Sequence, residues 1–122
     1  MPVGQANTSF PVAARLWTPA EFSRVFKHGR FSSDGCFRVY VHPNGPIARL
    51  GISVARAAVA GAVVRNRLKR QIRASFRARR ATLPAADIVV QVKAHASGAS
   101  KPELCASLEW HWQEVTKRCA AS

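Results

Sequence analysis

The sequence predicts an α+β fold, an α-β sandwich built on one small central sheet. Apolar residues alternate in several short segments and recur every three or four positions in three longer ones, and these are the periods of strands and helices. The chain has 122 residues, and 48% of them are hydrophobic. This length and composition are enough to form one buried core, but two domains would each be too small to form one. We therefore expect a single domain with the element order αβββαβα.

The first helix is predicted over residues 18–28. Thr18 can cap its start, and Glu21 can return the bond as the second half of a capping box. Gly29 ends the helix. The apolar stripe of this helix consists of Phe22, Val25 and Phe26.

Strands follow, with one more late in the chain. Residues 35–42 alternate, placing three apolar side chains on one face and four others, namely Cys36, Arg38, Tyr40 and His42, on the opposite face. A turn at 43–46 leads to a second strand at 47–55. The segment 30–34 is a candidate edge strand, and residues 87–93 form the last strand, followed by a loop at 95–99.

Two longer helices complete the fold. Over residues 62–81 an apolar stripe recurs every four positions, made of Val64, Leu68, Ile72 and Phe76. The last helix spans 100–119 and begins with a second capping-box pair, Ser100 and Glu103. Its core stripe consists of Leu104, Leu108, Trp112 or His111, Val115 and Cys119.

Positive charge is concentrated in one part of the chain. The 19 Lys and Arg residues face only 6 Asp and Glu, a formal net charge of +13. No acidic residue lies between Asp34 and Asp87, whereas eight cations lie between Arg65 and Arg80. Such a one-sided field favours a polyanionic partner through counterion release. The alternative is a solvated helix face, but such faces usually mix both signs.

On a helical wheel the basic side chains lie opposite the apolar stripe. Arg65 and Arg67 flank the face that carries Asn66, Lys69, Arg70, Arg73, Arg77 and Arg80. Arginine forks match phosphate oxygens. Asn66 can read a base edge or a ribose hydroxyl, or can serve only as a helix-start residue. An arginine-rich helix does not by itself separate RNA from DNA.

Catalytic and metal-binding motifs are missing from the sequence. The six acidic residues form no convergent pair, and the four histidines lack the spacing of a helical metal pair. The three cysteines contain no C-x-x-C spacing, which argues against a disulfide framework or a zinc site. We expect no catalytic residue and no metal ligand on the protein itself.

Aromatic side chains offer a second binding surface. Phe22 and Phe26 lie on the first helix, and Tyr40 projects from a strand on the same face as Arg38. If that side of the sheet is open, the rings can stack unpaired bases. For the two phenylalanines alone, core packing is the better interpretation.

The run RNRLKRQIR at 65–73, preceded by GISVARAAVAGAVV, resembles the signature of the bacterial ribonuclease P protein subunit. The similarity extends over roughly residues 15–118 through FSRVFKHGR, FRVYV and LPAADIVVQVK. Domain boundaries follow from it: a flexible segment at 1–14, one RNA-binding domain at 15–119 and a tail at 120–122.

The resemblance implies an accessory subunit of an RNA enzyme, which removes the 5′ leader of precursor tRNA with Mg²⁺ held by the RNA. It also implies a left-handed β-α-β crossover, against the usual rule, and a bacterial cytoplasmic location without membrane or DNA partners. Contacts to the catalytic RNA would come from Arg56, Arg65, Asn66, Arg67, Lys69, Arg70, Arg73 and Arg77. The leader groove would be lined by Phe22, Phe26, Arg38 and Tyr40.

The sequence departs from the family pattern just before RNR. Ala57 replaces one of two basic residues that relatives often carry, and residues 60–64 are small or apolar. We expect this loop to add less affinity than usual. Two other functions stay open: a ribosomal or other structured-RNA-binding protein, and a DNA-binding domain. The second of these is disfavoured because the cations ring half the helix instead of grouping at its N-terminus.

Overall fold

Three helices and four strands make up the computed structural model, which describes residues 18–120. The predicted flexible segment 1–14 lies outside the described residues. The predicted α+β order αβββαβα is confirmed. In chain order the elements are α1 (Pro19–His28), β1 (Arg30–Ser33), β2 (Phe37–Pro43), β3 (Arg49–Ser53), α2 (Ala62–Arg79), β4 (Ala86–Val92) and α3 (Lys101–Ala120).

The strands form one sheet in the order β1-β2-β4-β3. β1 pairs with β2 and β2 pairs with β4 in antiparallel fashion, whereas β3 lies parallel to β4. The segment predicted as an edge strand is therefore β1, at one edge of the sheet. A parallel pair needs a crossover connection, and α2 supplies it between β3 and β4. The left-handed sense of this crossover stays a prediction from the resemblance.

The core fills the space between one face of the sheet and the helices α2 and α3. The inward residues of β2 and the predicted stripe of α2 are all buried, apart from the partly buried Val64. On α3 both His111 and Trp112 are buried, so the two alternatives for that position are both correct. The core cluster includes Phe37, Val39, Val41, Leu68, Ile72, Phe76, Leu104, Leu108, Trp112 and Val115.

The capping boxes formed unequally. The backbone N–H of Thr18 donates to Glu21 at 2.8 Å, and that of Glu21 donates to the Thr18 hydroxyl at 3.2 Å, so the first box is complete. At α3 the backbone N–H of Glu103 donates to the Ser100 hydroxyl at 3.2 Å. The Glu103 carboxylate instead lies beside His95, and the predicted reciprocal half of the second box is wrong.

Three local predictions need correction. Residues 94–98 form a 3₁₀ turn and not an irregular loop. The helix predicted to reach residue 81 ends at Arg79 and passes into a 3₁₀ turn at Arg80–Thr82. Cys36 was expected on the outer face with Tyr40, but it is buried in the core cluster. It precedes β2, in a turn where its N–H donates to Asp34 at 3.0 Å, so strand alternation does not apply to it.

Candidate nucleic-acid interface

The second face of the sheet is covered only in part, by α1. Pairing in the sheet places Phe31, Tyr40 and Val89 side by side on this face. Val25 of α1 is buried, and so is Val89. The remaining aromatic side chains are left to line an open groove between α1 and the sheet.

Four rings form a continuous series in this groove, which we call the aromatic groove. The ring centroids of Phe26 and Tyr40 are 4.8 Å apart in an edge-on contact, and those of Phe31 and Tyr40 are 5.6 Å apart. Phe22 is stacked 6.3 Å from Phe26. Phe26 is 37% exposed and Phe31 48% exposed. The alternative that Phe22 and Phe26 belong to the core is thus wrong for Phe26, and Phe22 is only half-buried.

Arg38 adds positive charge to the aromatic groove. Its guanidinium carbon lies 4.9 Å from the ring centre of Phe31, a cation–π contact. All four predicted groove residues are therefore on one face, and Phe31 joins them. Sequence reasoning missed Phe31. The register between β1 and β2 places Phe31 opposite Tyr40, and that register was not known from the sequence.

A network of ionic contacts holds α1 against the end of this face. Arg49 on β3 donates to Glu21 of α1 at 2.7 Å and to Asp87 of β4 at 2.8 Å. Asn44 donates a further bond to Asp87 at 2.9 Å. Burial alone would raise the pKa of Asp87, but the bonds from Arg49 and Asn44 outweigh it and hold that pKa below its ordinary value. The bond from Arg49 likewise lowers the pKa of Glu21.

The basic side chains of α2 lie on the face turned away from the core. Lys69 and Arg65 are partly buried. The other predicted RNA-binding residues are exposed: Arg56, Asn66, Arg67, Arg70, Arg73 and Arg77. We call these eight residues the basic face. The structure brings all of them except Arg56 onto one helix, and Arg56 lies in the loop between β3 and α2.

Two arginines also hold the loops around the start of α2. Gly61 gives no side-chain cap, and Arg65 instead donates to the carbonyls of Val59 and Ala60, at 3.0 and 2.6 Å. Arg67 donates to the carbonyl of Ser97 at 3.3 Å. Backbone carbonyls are neutral, so these contacts hold the two guanidinium groups in place and leave their positive charge uncompensated.

All six acidic residues have partners that lie outside the basic face. Glu21 and Asp87 bind Arg49, Asp34 lies beside His111, Glu103 beside His95, and Glu114 binds Lys117 and Arg118. Glu109 pairs with Arg79, which lies on α2 outside the basic face. Each of the six acidic side chains thus has a partner outside the basic face.

A groove of about 530 Å³ between α2 and α3 borders the basic face. Arg67, Arg70 and Ser75 of α2 line one side of it, and Lys101 and Glu109 of α3 line the other. The groove therefore extends the positive surface from α2 toward the start of α3.

A Ser–His–Asp arrangement occurs in the core. Nδ1 of His111 lies 2.7 Å from the hydroxyl of Ser32, and Nε2 lies 3.1 Å from Asp34. Burial lowers the pKa of His111, although Asp34 opposes the shift. Because Ser32 and His111 are both buried, a substrate cannot reach this hydroxyl. We interpret the arrangement as a tie between β1 and α3.

Fold and surfaces together define an α+β protein with a basic helical face and, on the other side of its sheet, an aromatic groove. The profile of the family described as Ribonuclease P matches residues 10–116. The chain is 39% identical to the ribonuclease P protein component of Methylococcus capsulatus over 122 residues, which is 99% of this chain and 95% of that one. It is 41% identical to the component of Burkholderia mallei, covering 96% of each.

Solved structures agree. The ribonuclease P protein of Staphylococcus aureus superposes with a TM-score of 0.78 at 32% identity, covering 82% of this chain and 93% of that one. That of Thermotoga maritima gives 0.71 at 30% identity, covering 81% and 96%. The chain therefore belongs to the ribonuclease P protein family. Membership implies a part in tRNA processing and an RNA partner. No helix among the described residues is long and apolar enough to cross a membrane.

Proposed function

We propose that the chain is the accessory protein subunit of ribonuclease P and assists a catalytic RNA in removing the 5′ leader of precursor tRNA. The observation that carries this proposal is the presence of two surfaces of different chemistry on opposite sides of the domain. One is a basic helical face suited to folded RNA. The other is an aromatic groove suited to unpaired bases.

The basic face is proposed to bind the catalytic RNA. Its arginine forks match pairs of phosphate oxygens, and each phosphate neutralised releases condensed counterions. Arg65 and Arg67 are already anchored through loop carbonyls, so less side-chain entropy is lost when they meet a phosphate. Neutralising phosphates would also stabilise the folded RNA with the Mg²⁺ ions it holds, because the arginines take over part of the charge screening and less Mg²⁺ is then needed.

The aromatic groove is proposed to hold the leader. Its exposed rings stack unpaired bases in a sequence-tolerant way, at about 1–3 kcal/mol per base. Arg38 supplies a cation beside them. An open groove with few hydrogen-bonding groups fits a leader whose sequence differs from one precursor to the next.

The chemistry of cleavage is assigned to the RNA. The buried Ser32–His111–Asp34 arrangement offers no accessible nucleophile, and the ionic network at Arg49 has a structural partner for each of its charges. Mg²⁺ bound by the RNA would supply the activated water. The protein would position the leader and screen phosphate charge, in the bacterial cytoplasm and without a membrane or DNA partner.

The first experiment measures cleavage of a precursor tRNA at low Mg²⁺ by a bacterial ribonuclease P RNA, alone and with the protein. We expect the protein to restore cleavage at the 5′ end of the mature tRNA and to be inert without the RNA. Tight RNA binding with no gain in cleavage would favour the alternative, a structured-RNA-binding protein without a role in cleavage.

A second experiment separates the aromatic groove from general RNA binding. We expect Tyr40→Ala to weaken binding of precursor tRNA to the holoenzyme by about 5- to 150-fold, the equivalent of one stacked base. Binding of mature tRNA, which has no leader, should change little. Trp110→Ala is the matched control, because Trp110 is 41% exposed but lies on α3, across the sheet. Equal losses with both RNAs would contradict leader binding in the groove.

A further inference from the structure

Three potential metal ligands converge where the turn before β2, the 3₁₀ turn Ala94–Gly98 and the first turn of α3 meet. Nε2 of His95 lies 2.9 Å from Oε2 of Glu103, and Sγ of Cys36 lies 3.9 Å from the same oxygen. All three ligand atoms lie within 4.8 Å of one another. This cluster lies outside both the basic face and the aromatic groove.

We propose that Cys36, His95 and Glu103 bind one zinc ion, with a fourth position open to water. A thiolate, an imidazole and a carboxylate are all zinc ligands. The thiolate selects zinc over Mg²⁺, which prefers oxygen. The site is therefore chemically separate from the Mg²⁺ of the RNA.

The distances in the cluster are close to those that a tetrahedral zinc ion requires. Bonds of about 2.3 Å to sulfur and about 2.0 Å to nitrogen or oxygen place ligand atoms roughly 3.3–3.5 Å apart. The His95–Glu103 distance must therefore lengthen slightly, and the distance from the sulfur of Cys36 to Glu103 must shorten. His95 and Glu103 are 62% and 49% exposed, so both side chains are free to make this adjustment while Cys36 stays in place.

The cysteine is held by its backbone. Its N–H donates to Asp34 at 3.0 Å, and its carbonyl accepts the N–H of Lys93 at 2.9 Å. Asp34 is itself bound by the hydroxyl of Ser107 on α3. Supporting contacts of this kind hold a ligand in position in the metal-free protein.

Sequence spacing could not reveal this site. Cys36 and Glu103 are 67 positions apart, and His95 is 8 positions from Glu103. No short motif contains them. The expectation that the protein alone binds no metal rested on the missing C-x-x-C spacing and on the spacing of the histidines, and this proposal departs from it.

Bound zinc would brace a junction next to the basic face. It would tie three separate segments together, and the 3₁₀ turn that carries His95 also carries Ser97. The carbonyl of Ser97 accepts the bond from Arg67. The metal would therefore stabilise the fold directly and the position of Arg67 indirectly.

The test uses the full chain, reduced and stripped of metal with a chelator. Thermal unfolding is followed with and without ZnSO₄, and Mg²⁺ serves as the comparison ion. At zinc concentrations about 100 times Kd the Tm should rise by about 10 °C, whereas Mg²⁺ at the same concentration should have no such effect. Co²⁺ in place of zinc should give the near-ultraviolet absorption of a thiolate–cobalt bond.

Variants assign the ligands. We expect His95→Ala and Glu103→Gln, both at exposed positions, to weaken zinc binding by more than about tenfold, and Cys36→Ser to abolish the cobalt–thiolate absorption. Cys105→Ser is the matched control, since Cys105 is an exposed thiol elsewhere on α3. Absence of the cobalt–thiolate band in the unaltered chain would overturn the proposal. The proposal would also be overturned if Cys105→Ser lost the band while His95→Ala kept its zinc affinity, because the metal would then bind at Cys105 and not at this cluster.

Discussion

Arg70 and Arg77 allow a quantitative test of the basic face. Both side chains are exposed on α2, and neither has a hydrogen-bond or ion-pair partner among the described residues. Replacing either by alanine removes one charge and no internal contact. The change should therefore act on RNA binding with little effect on the free energy of unfolding.

The size of the effect follows from counterion release. Each phosphate contact contributes about 0.7–0.9 to the slope of log K against log salt. If Arg70 contacts one phosphate, Arg70→Ala makes the slope shallower by about that amount. Over a fourfold change in salt this corresponds to about a threefold smaller loss of affinity than in the unaltered chain.

The assay is equilibrium binding to ribonuclease P RNA at several salt concentrations between about 50 and 200 mM. Arg79→Ala is the matched control, because Arg79 lies on the same helix and its charge is paired with Glu109. We expect its slope to change less than that of Arg70→Ala or Arg77→Ala. Unchanged slopes in both of those variants, or an equal change in Arg79→Ala, would refute the assignment of the basic face as the phosphate-binding surface.

Two further predictions concern stability. The urea midpoint should fall as the pH is lowered from about 7. Burial lowers the pKa of His111 in the folded state, so near pH 6.5 the unfolded chain takes up a proton that the folded chain does not. The depressed pKa of Asp87 adds a second loss of stability below about pH 4. His111→Gln should flatten the first part of this profile, and an unchanged profile would contradict the assignment. Gly29→Ala should cost about 1–3 kcal/mol of unfolding free energy in chemical denaturation, because its Cβ would lie 2.5 Å from the carbonyl oxygen of Val25 and 3.0 Å from that of Val41. A stability equal to that of the unaltered chain would mean that α1 can shift to make room.

Local patterns were sufficient to predict the elements of this fold. The four-residue period from Val64 to Phe76 reports one buried stripe, and the structure buries its last three residues. Alternation in β2 identified the buried face correctly. Both signals are local, because each depends only on which residues share one side of a single element.

Contacts between distant segments could not be predicted in the same way. Phe31 joins the aromatic groove only through its register with Tyr40, and register depends on a turn whose geometry the sequence does not specify. Glu103 was a plausible capping residue by spacing, yet its carboxylate lies beside His95. In both cases a tertiary contact decides the role of a residue whose local pattern fits more than one role.

The placement of the acidic residues explains why α2 keeps a strongly positive surface. Asp87 and Glu21 tie α1 to the sheet through Arg49, Asp34 holds the turn before β2, and Glu109 and Glu114 bind cations beside α3. Moving any of them toward the basic face would break one of these contacts. The seven cations between Arg65 and Arg79, spread over about 21 Å of helix, therefore repel one another, and Arg79 is compensated by its ion pair with Glu109. A polyanion relieves this repulsion, so binding gains free energy both from its own contacts and from strain that the folded protein alone retains.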